Sequence, residues 1–167
     1  MTDATAGAVL ELRTAHPDDL DELEELEFDS FDGDRFNRRQ LRYLLSRARA
    51  VTVVLEDAAG TCAPPQRILA YGTLLLRSNS HRARLYSLCV HPAARGSGQG
   101  RRLLVELERR ALEHGASELV LEVRADNRRA LGLYRRMGYR TLHWIDDYYS
   151  DGCAAWRMSK PLPAILD

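Results

Sequence analysis

Within the segment HPAARGSGQGRRLL, His91 to Leu104, three of the chain's 11 glycines occupy alternate positions, 96, 98 and 100. Without a Cβ, backbone amides can approach an anion closely. A glycine-bearing turn that runs into a helix aims several free N–H groups, and the positive end of the helix dipole, at one point. This spacing can therefore hold a phosphate or diphosphate; a tight corner with no ligand is the alternative the glycines alone leave open. A P-loop needs Gly-x-x-x-x-Gly-Lys-Ser/Thr, and Gly100 is followed by Arg101 and Arg102, which removes the lysine and the metal-binding hydroxyl. A dinucleotide fingerprint needs Gly-x-Gly-x-x-Gly with an acid about 20 residues on. Glu122 stands at a suitable distance, but the glycine spacing differs by one residue and too little chain follows to complete such a domain. A dinucleotide oxidoreductase stays a minor alternative.

Three nearby side chains could do chemistry. Glu122, in the otherwise apolar LVLEVR, could take a proton directly or through water. Strand alternation offers a plainer reading, with Glu118, Glu122 and Arg124 on a solvent face and Leu119, Leu121 and Val123 inward. Tyr134, in ALGLYRRMGY, lies one helical turn beyond Ala130 and Leu131, and its phenol could donate a proton or simply complete the core. Cys89 invites a nucleophilic role, but no histidine or acid is identifiably placed to activate it, so packing is the expectation. The five histidines show no metal-ligand spacing, and no metal is expected.

The elements that must position these residues follow from periodicity and punctuation. VLELRTA reads as a strand, and HPDDLDELEELEF as a helix with Pro17 in its first turn and Leu20, Leu23, Leu26 and Phe28 as its buried stripe. After the break DSFDGD, a second helix is expected from about Arg35 to Ser46, turning Phe36, Leu41, Tyr43, Leu44 and Leu45 inward. Its other face carries a basic stripe, Arg35, Arg38, Arg39 and Arg42, read as solvated, with an anionic partner such as RNA as the second reading. AVTVVLED, the loop AAGTCAPPQ, RILAYGTLLLR and RARLYSLCVHP form an antiparallel meander. The glycine segment then opens a helix, marked by Leu103, Leu104, Leu107 and Ala111, that stops near Gly115. ASELVLEVRAD is a strand, NRRALGLYRRM a helix closed by Gly138, and YRTLHWIDDYY with AAWRMSKPL a hairpin around SDG. The crossover helix makes the strands near 85–91 and 117–124 parallel neighbours. The fold class is thus α/β (α+β): one domain, 1–167, with a mixed, mostly antiparallel sheet of about seven strands, about four helices, and residues 1–7 as a disordered tail.

Length and composition agree with one soluble globular domain. The chain has 167 residues, 24 basic against 24 acidic, with 45% hydrophobic and 29% charged. Cys62, Cys89 and Cys153 are odd in number and widely spaced, which suggests no disulfide framework and a reducing cytoplasm. No apolar run approaches the roughly 20 residues that span a bilayer, so no membrane is expected; the balanced charge names no partner, and no direct nucleic-acid contact is expected.

RGSGQG, Arg95 to Gly100, resembles the Arg/Gln-x-x-Gly-x-Gly/Ala signature of the GNAT superfamily of acyl-CoA-dependent N-acyltransferases, and LEVRADNRRALGLYRRMGY resembles the next signature of that superfamily. The matching segments run from about Leu85 to the end, and LEVRADN, LY and YY recur in the order of the RimI-type, ribosomal-protein N-terminal alanine acetyltransferases. The resemblance implies acetyl-CoA as co-substrate, its diphosphate on the amides of Arg95, Gly96, Ser97, Gly98, Gln99, Gly100 and Arg101, and its pantetheine arm paired with Leu88, Cys89 and Val90. It further implies coenzyme contacts at Asn127, Ala130 and Tyr134, a base at Glu122 and an acid at Tyr134. A backbone amide near Val90 is the candidate oxyanion donor. Arg101, Arg102, Arg128 and Arg129 could meet the remaining phosphate, or be solvated. The acidic stretches EELEFDSFDGD and DDYYSD would flank the acceptor groove, with Tyr148 and Tyr149 gripping a peptide end. The acceptor is an amine, expected to be a protein N-terminus, with lysine side chains, polyamines and small amines open. A non-catalytic acyl-CoA-binding module is the alternative of another class, and the chain is expected to act as a monomer or homodimer.

Overall fold

The computed structural model describes residues 9–31, 33–47, 49–59 and 67–163. The proposed tail and most of the AAGTCAPPQ loop, Cys62 included, lie outside the described residues. Seven strands form one sheet in the order β1-β2-β3-β4-β5-β7-β6. They are β1 (Leu10–Thr14), β2 (Ala50–Asp57), β3 (Ile68–Leu75), β4 (Arg82–Val90), β5 (Glu118–Arg124), β6 (Arg140–Ile145) and β7 (Ala155–Pro161). The helices are α1 (Leu20–Ser30), α2 (Arg38–Ser46), α3 (Gln99–Glu113) and α4 (Arg128–Arg136). Among the described residues only β4 and β5 are parallel. None of the described helices is long and apolar enough to cross a membrane.

Strand alternation divides the core between the sheet's two faces. Val53, Leu55, Ala70, Leu74 and Leu85 meet Leu103, Leu104, Leu107 and Ala111 of α3, with Leu131 and Tyr134 of α4 joining the same cluster. On the opposite face Val54, Ile68, Tyr71 and Cys89 meet Leu20, Leu23 and Leu26 of α1 and Leu41 of α2. The approach of α3 to β3 depends on Gly72, where a Cβ would lie 2.5 Å from Leu107 Cδ1 and 3.2 Å from the Ser87 carbonyl oxygen.

The structure corrects the expected helices in three places. Pro17–Asp19 is a separate 3-10 turn before α1. The second helix begins at Arg38 because Asn37 and Gln40 cap it reciprocally, each side chain accepting the other's backbone N–H at 2.9 Å. Phe36 therefore precedes the helix, and its ring stacks on Tyr86 of β4 at 5.2 Å between centroids. Phe28 and Tyr43 are exposed, at 69% and 58%. Each ring carries a guanidinium, Arg35 over Phe28 and Arg47 over Tyr43. In the last hairpin the first strand stops at Ile145, which leaves Tyr148 and Tyr149 in the connection.

The expected parallel pairing is shorter than its apolar runs. β4 pairs β5 only over Arg82–Leu85 against Glu118–Leu121. Between β3 and β4 the register shifts, Thr73 opposing Ser87 and Leu74 opposing Leu85, so Tyr86 is one residue extra. A bulge bends and twists its strand. From Tyr86 onward β4 keeps only β3 as a partner, and a wedge opens between β4 and β5.

Candidate active site

The wedge leads to the glycine segment. Gly96 and Gly98 both hold φ at 83°, in the left-handed region that a Cβ makes costly. Gly98 is the N-cap of α3 and provides no side-chain cap. The first amides of a helix have no partner within it, and Arg102 is the first whose N–H reaches a helix carbonyl, that of Gly98 at 3.1 Å. Among the described residues, the amides of 96–101 make no hydrogen bond. Ser97 Oγ donates to the Ala94 carbonyl at 2.8 Å and braces the loop, while Gln99 Oε1 is buried without a partner. At Gly100 a Cβ would meet Leu133 and Val90 at ordinary distances, 3.4 and 3.6 Å, so the strict need for glycine lies at 96 and 98.

The arginines near the loop divide into two kinds. Arg95 donates from Nε to the Val90 carbonyl (3.1 Å) and from its terminal nitrogen to the Ser30 carbonyl (3.3 Å), tying the loop to the ends of β4 and α1. Its side chain is thus occupied, and its backbone N–H donates to the Pro92 carbonyl at 3.4 Å, so Arg95 braces the loop and the unbonded amides begin at Gly96. Arg101 is exposed beside a cleft of about 320 Å³ shared with Leu12, Gly98 and Arg102, and Arg128 and Arg129 are exposed at the start of α4.

Ladder alternation tells which β4 groups face the wedge. His91 N–H donates to the Leu69 carbonyl. In an antiparallel pair every second residue bonds to the partner, so Cys89 and Ser87 turn their backbones to β3. Leu88 and Val90 turn theirs away, toward the wedge. With the Val90 carbonyl held by Arg95, the Leu88 N–H and C=O and the Val90 N–H remain. Cys89 has neither backbone nor side chain on this edge: it is 2% exposed under α1, and burial pushes its thiol up to about 12. A thiol so protonated is a poor nucleophile.

Beyond the wedge lies the sheet face carrying the even-numbered residues of β5, which alternate with buried Leu119, Leu121 and Val123. Glu122 shares this face, yet its side chain is only 7% exposed. One carboxylate oxygen accepts from Arg84 Nε of β4 and the other from Arg157 Nε of β7, each at 3.0 Å. Arg84 also donates to Tyr148 Oη at 3.1 Å and lies over the Tyr86 ring. One residue of each acidic stretch is engaged: Asp34, from the α1–α2 loop, and Asp151, from the β6–β7 connection, pair with Arg124, as does Asp126. Asp34 also accepts from Ser150 Oγ at 2.6 Å. Tyr149 lies edge-on to Tyr148, at 5.0 Å between centroids, and under the Arg124 guanidinium. Burial and the neighbouring Tyr148 raise its phenol above the usual range, with Glu122 and Asp34 adding to the effect.

Tyr134 approaches from α4. It is 6% exposed and stands edge-on to Tyr139, and its hydroxyl makes no hydrogen bond among the described residues. Burial, with Tyr149 close by, raises its phenol above the ordinary 10, so the group holds its proton at neutral pH and can act only as a donor. Asn127 caps α4 by accepting the Ala130 N–H at 3.1 Å, which leaves its NH₂ free to donate outward. Sequence reasoning gave no site role to Arg84, Arg157, Arg124, Phe36 and Tyr86, and had Asp34 only as the end of an acidic stretch. Nothing in the sequence joins them, because strand register and two loop bridges bring them together.

Residues 18–139 match the acetyltransferase (GNAT) family, and the chain belongs to that family. It is an N-acetyltransferase with acetyl-CoA as co-substrate. Its fold is similar to that of the ribosomal-protein-S18-alanine N-acetyltransferase from Escherichia coli (22% identity, 95% of this chain and 97% of that one, TM-score 0.79). It is also similar to nourseothricin acetyltransferase (26% identity, 92% and 99% covered, TM-score 0.74). A chain of the NatC complex bound to Gag peptide and CoA matches at 19% identity, with 92% and 99% covered and a TM-score of 0.79.

Proposed function

We propose that this enzyme acetylates the amine at a protein or peptide N-terminus by direct transfer. The observation that carries this reading is the bridge across the acceptor face, where Asp34 of the α1–α2 loop holds Ser150 and Arg124. By tying the α1–α2 loop to the β6–β7 connection at one end of this face, the bridge would leave room for a chain end and hinder a side chain in mid-polypeptide. Similar folds among proteins that act on S18 alanine, or that are bound to a peptide, lend support to the same class of acceptor.

The cradle and the strand edge fit the donor. Uncapped helix amides, two glycines in the left-handed region and the unpaired groups of Leu88 and Val90 suit a diphosphate joined to an amide-bearing arm. When bound, acetyl-CoA supplies an acetyl thioester. The Val90 N–H stands at the mouth of the wedge as the candidate donor to a developing oxyanion. Tyr134 gives its proton to the departing sulfur. Glu122 takes the amine proton through water, since each carboxylate oxygen keeps a lone pair beside the one its arginine occupies. Tyr148 and Tyr149 bracket the entering backbone.

The test is incubation with acetyl-CoA and a mixture of peptide N-termini, lysine-containing N-blocked peptides and polyamines, read by mass spectrometry. N-terminal acetylation is expected. Products confined to polyamines or lysine side chains would overturn the assignment.

A further inference from the structure

A polar row crosses four strands: Glu122 (β5) stands opposite Arg157 (β7) and Arg157 opposite His143 (β6), while Arg84 (β4), whose register partner is Val120, reaches Glu122 with its side chain. Two guanidiniums share one carboxylate, so the row carries one unbalanced positive charge. Arg157 can only donate, so in its contact with His143 at 3.2 Å the ring Nε2 is the acceptor. Half-exposed side chains, Arg84 at 40% and Arg157 at 35%, leave the row open to a ligand.

Donors remain. Arg84 uses Nε and one terminal nitrogen, on Glu122 and Tyr148; Arg157 uses Nε and one terminal nitrogen, on Glu122 and His143. Each guanidinium therefore keeps a terminal NH₂ without a partner among the described residues. Two residues along the same face of β5, Arg124 is outnumbered by Asp34, Asp126 and Asp151, so that end of the acceptor floor is net negative. The floor thus has an acidic pole and a basic pole on either side of Tyr148 and Tyr149. An ammonium group alone matches the first and is repelled by the second.

From this layout we infer that Arg84 and Arg157 form a carboxylate subsite, and that the preferred acceptor carries a carboxylate within one residue of its amine. The inference rests on the amine-acetylating role of this face and deepens it. An N-terminal Asp or Glu side chain provides such a group, and so does the α-carboxylate of a free amino acid. Charge-assisted, two-point binding by guanidinium is the interaction that separates a carboxylate from its amide. The step itself is unchanged: the amine nitrogen bonds to the acetyl carbon, the carbon–sulfur bond breaks, and the amine proton leaves by way of Glu122 while the thiolate takes one from Tyr134.

The experiment compares initial rates for acceptors matched in all but charge: peptides opening with Asp against Asn and Glu against Gln, and free alanine against alaninamide. In at least one matched set the carboxylate member should win by about tenfold to a hundredfold in kcat/KM, mostly through KM. Arg157→Gln should bring that ratio close to one. Arg84→Gln, on a different strand, serves as the second variant and should do the same. A ratio at or below one in every set, or a preference untouched by both variants, would overturn the subsite. Acetylation of free amino acids alone, with the charge preference and its loss in the variants, sustains the subsite and removes the N-terminal reading. Acetylation of peptides without charge preference does the reverse.

Discussion

The two halves of the proposed site are built from different parts of the chain. On the donor side nearly every feature belongs to the backbone: left-handed glycines, uncapped amides of α3, and a strand edge freed by a one-residue bulge. On the acceptor side nearly every feature is a side chain reaching from a separate element, β4 to β7 or one loop to another. Backbone recognition suits a ligand that never changes. Side-chain recognition can be altered one residue at a time without disturbing the sheet.

That difference also explains what could be read from the sequence. A left-handed position demands glycine, so the turn before α3 announces itself through Gly96 and Gly98, and the helix after it through Leu103, Leu104 and Leu107. The Leu119-Leu121-Val123 alternation likewise locates β5. The bulge at Tyr86 has no such mark, because it depends on how β4 registers against β3. Its consequence, a parallel pairing only four residues long, appears in the sequence as an uninterrupted apolar run. Arg84 and Arg157 are 73 positions apart in a chain with 24 basic residues, and only the order β4-β5-β7 brings both to Glu122. Phe36 and Tyr43 look alike in an amphipathic reading. The Asn37 cap separates them, placing one on Tyr86 and the other in solvent.

The sharpest contrast between the halves should come from Tyr134→Phe, which leaves the backbone cradle intact. We expect kcat to fall by about 10²–10⁴-fold while coenzyme A affinity by calorimetry changes little. Because burial raises the phenol above the ordinary 10, the wild-type kcat should also show no descending limb up to pH 10; a limb between pH 8 and 9 would contradict Tyr134 as the donor. Glu122→Gln should lower kcat by about 10²-fold. If Glu122 merely holds Arg84 and Arg157 in place, the loss will fall on the acceptor KM instead, with the shape of the kcat–pH curve unchanged.

On the backbone side, Gly98→Ala forces a Cβ into the left-handed region at a cost of about 1–2 kcal/mol. The KM for acetyl-CoA should rise about tenfold with kcat at saturation nearly intact. Gly100→Ala, with room for its methyl, should change it less than threefold, and an equal penalty at the two positions would mean that space rather than backbone conformation governs the loop. Asp34→Ala releases Ser150 and one partner of Arg124. It should alter the N-terminal rate only a few-fold while admitting internal lysines that the wild type rejects, which competition between the two peptide classes would reveal.

The smallest effect expected is at Cys89, which stands beside the donor edge in sequence and away from it in space. With its backbone bonded to β3, its side chain under α1 and its thiol pushed up to about 12, it has no route to the acetyl group. Cys89→Ala should keep kcat within about twofold, its cost appearing instead as about 1 kcal/mol of stability from the lost packing. An acetylated Cys89 trapped by rapid quench, or a kcat reduced a hundredfold in a folded Cys89→Ala protein, would replace direct transfer with a two-step route. It would also mean that a buried side chain, and not the backbone, completes the donor side.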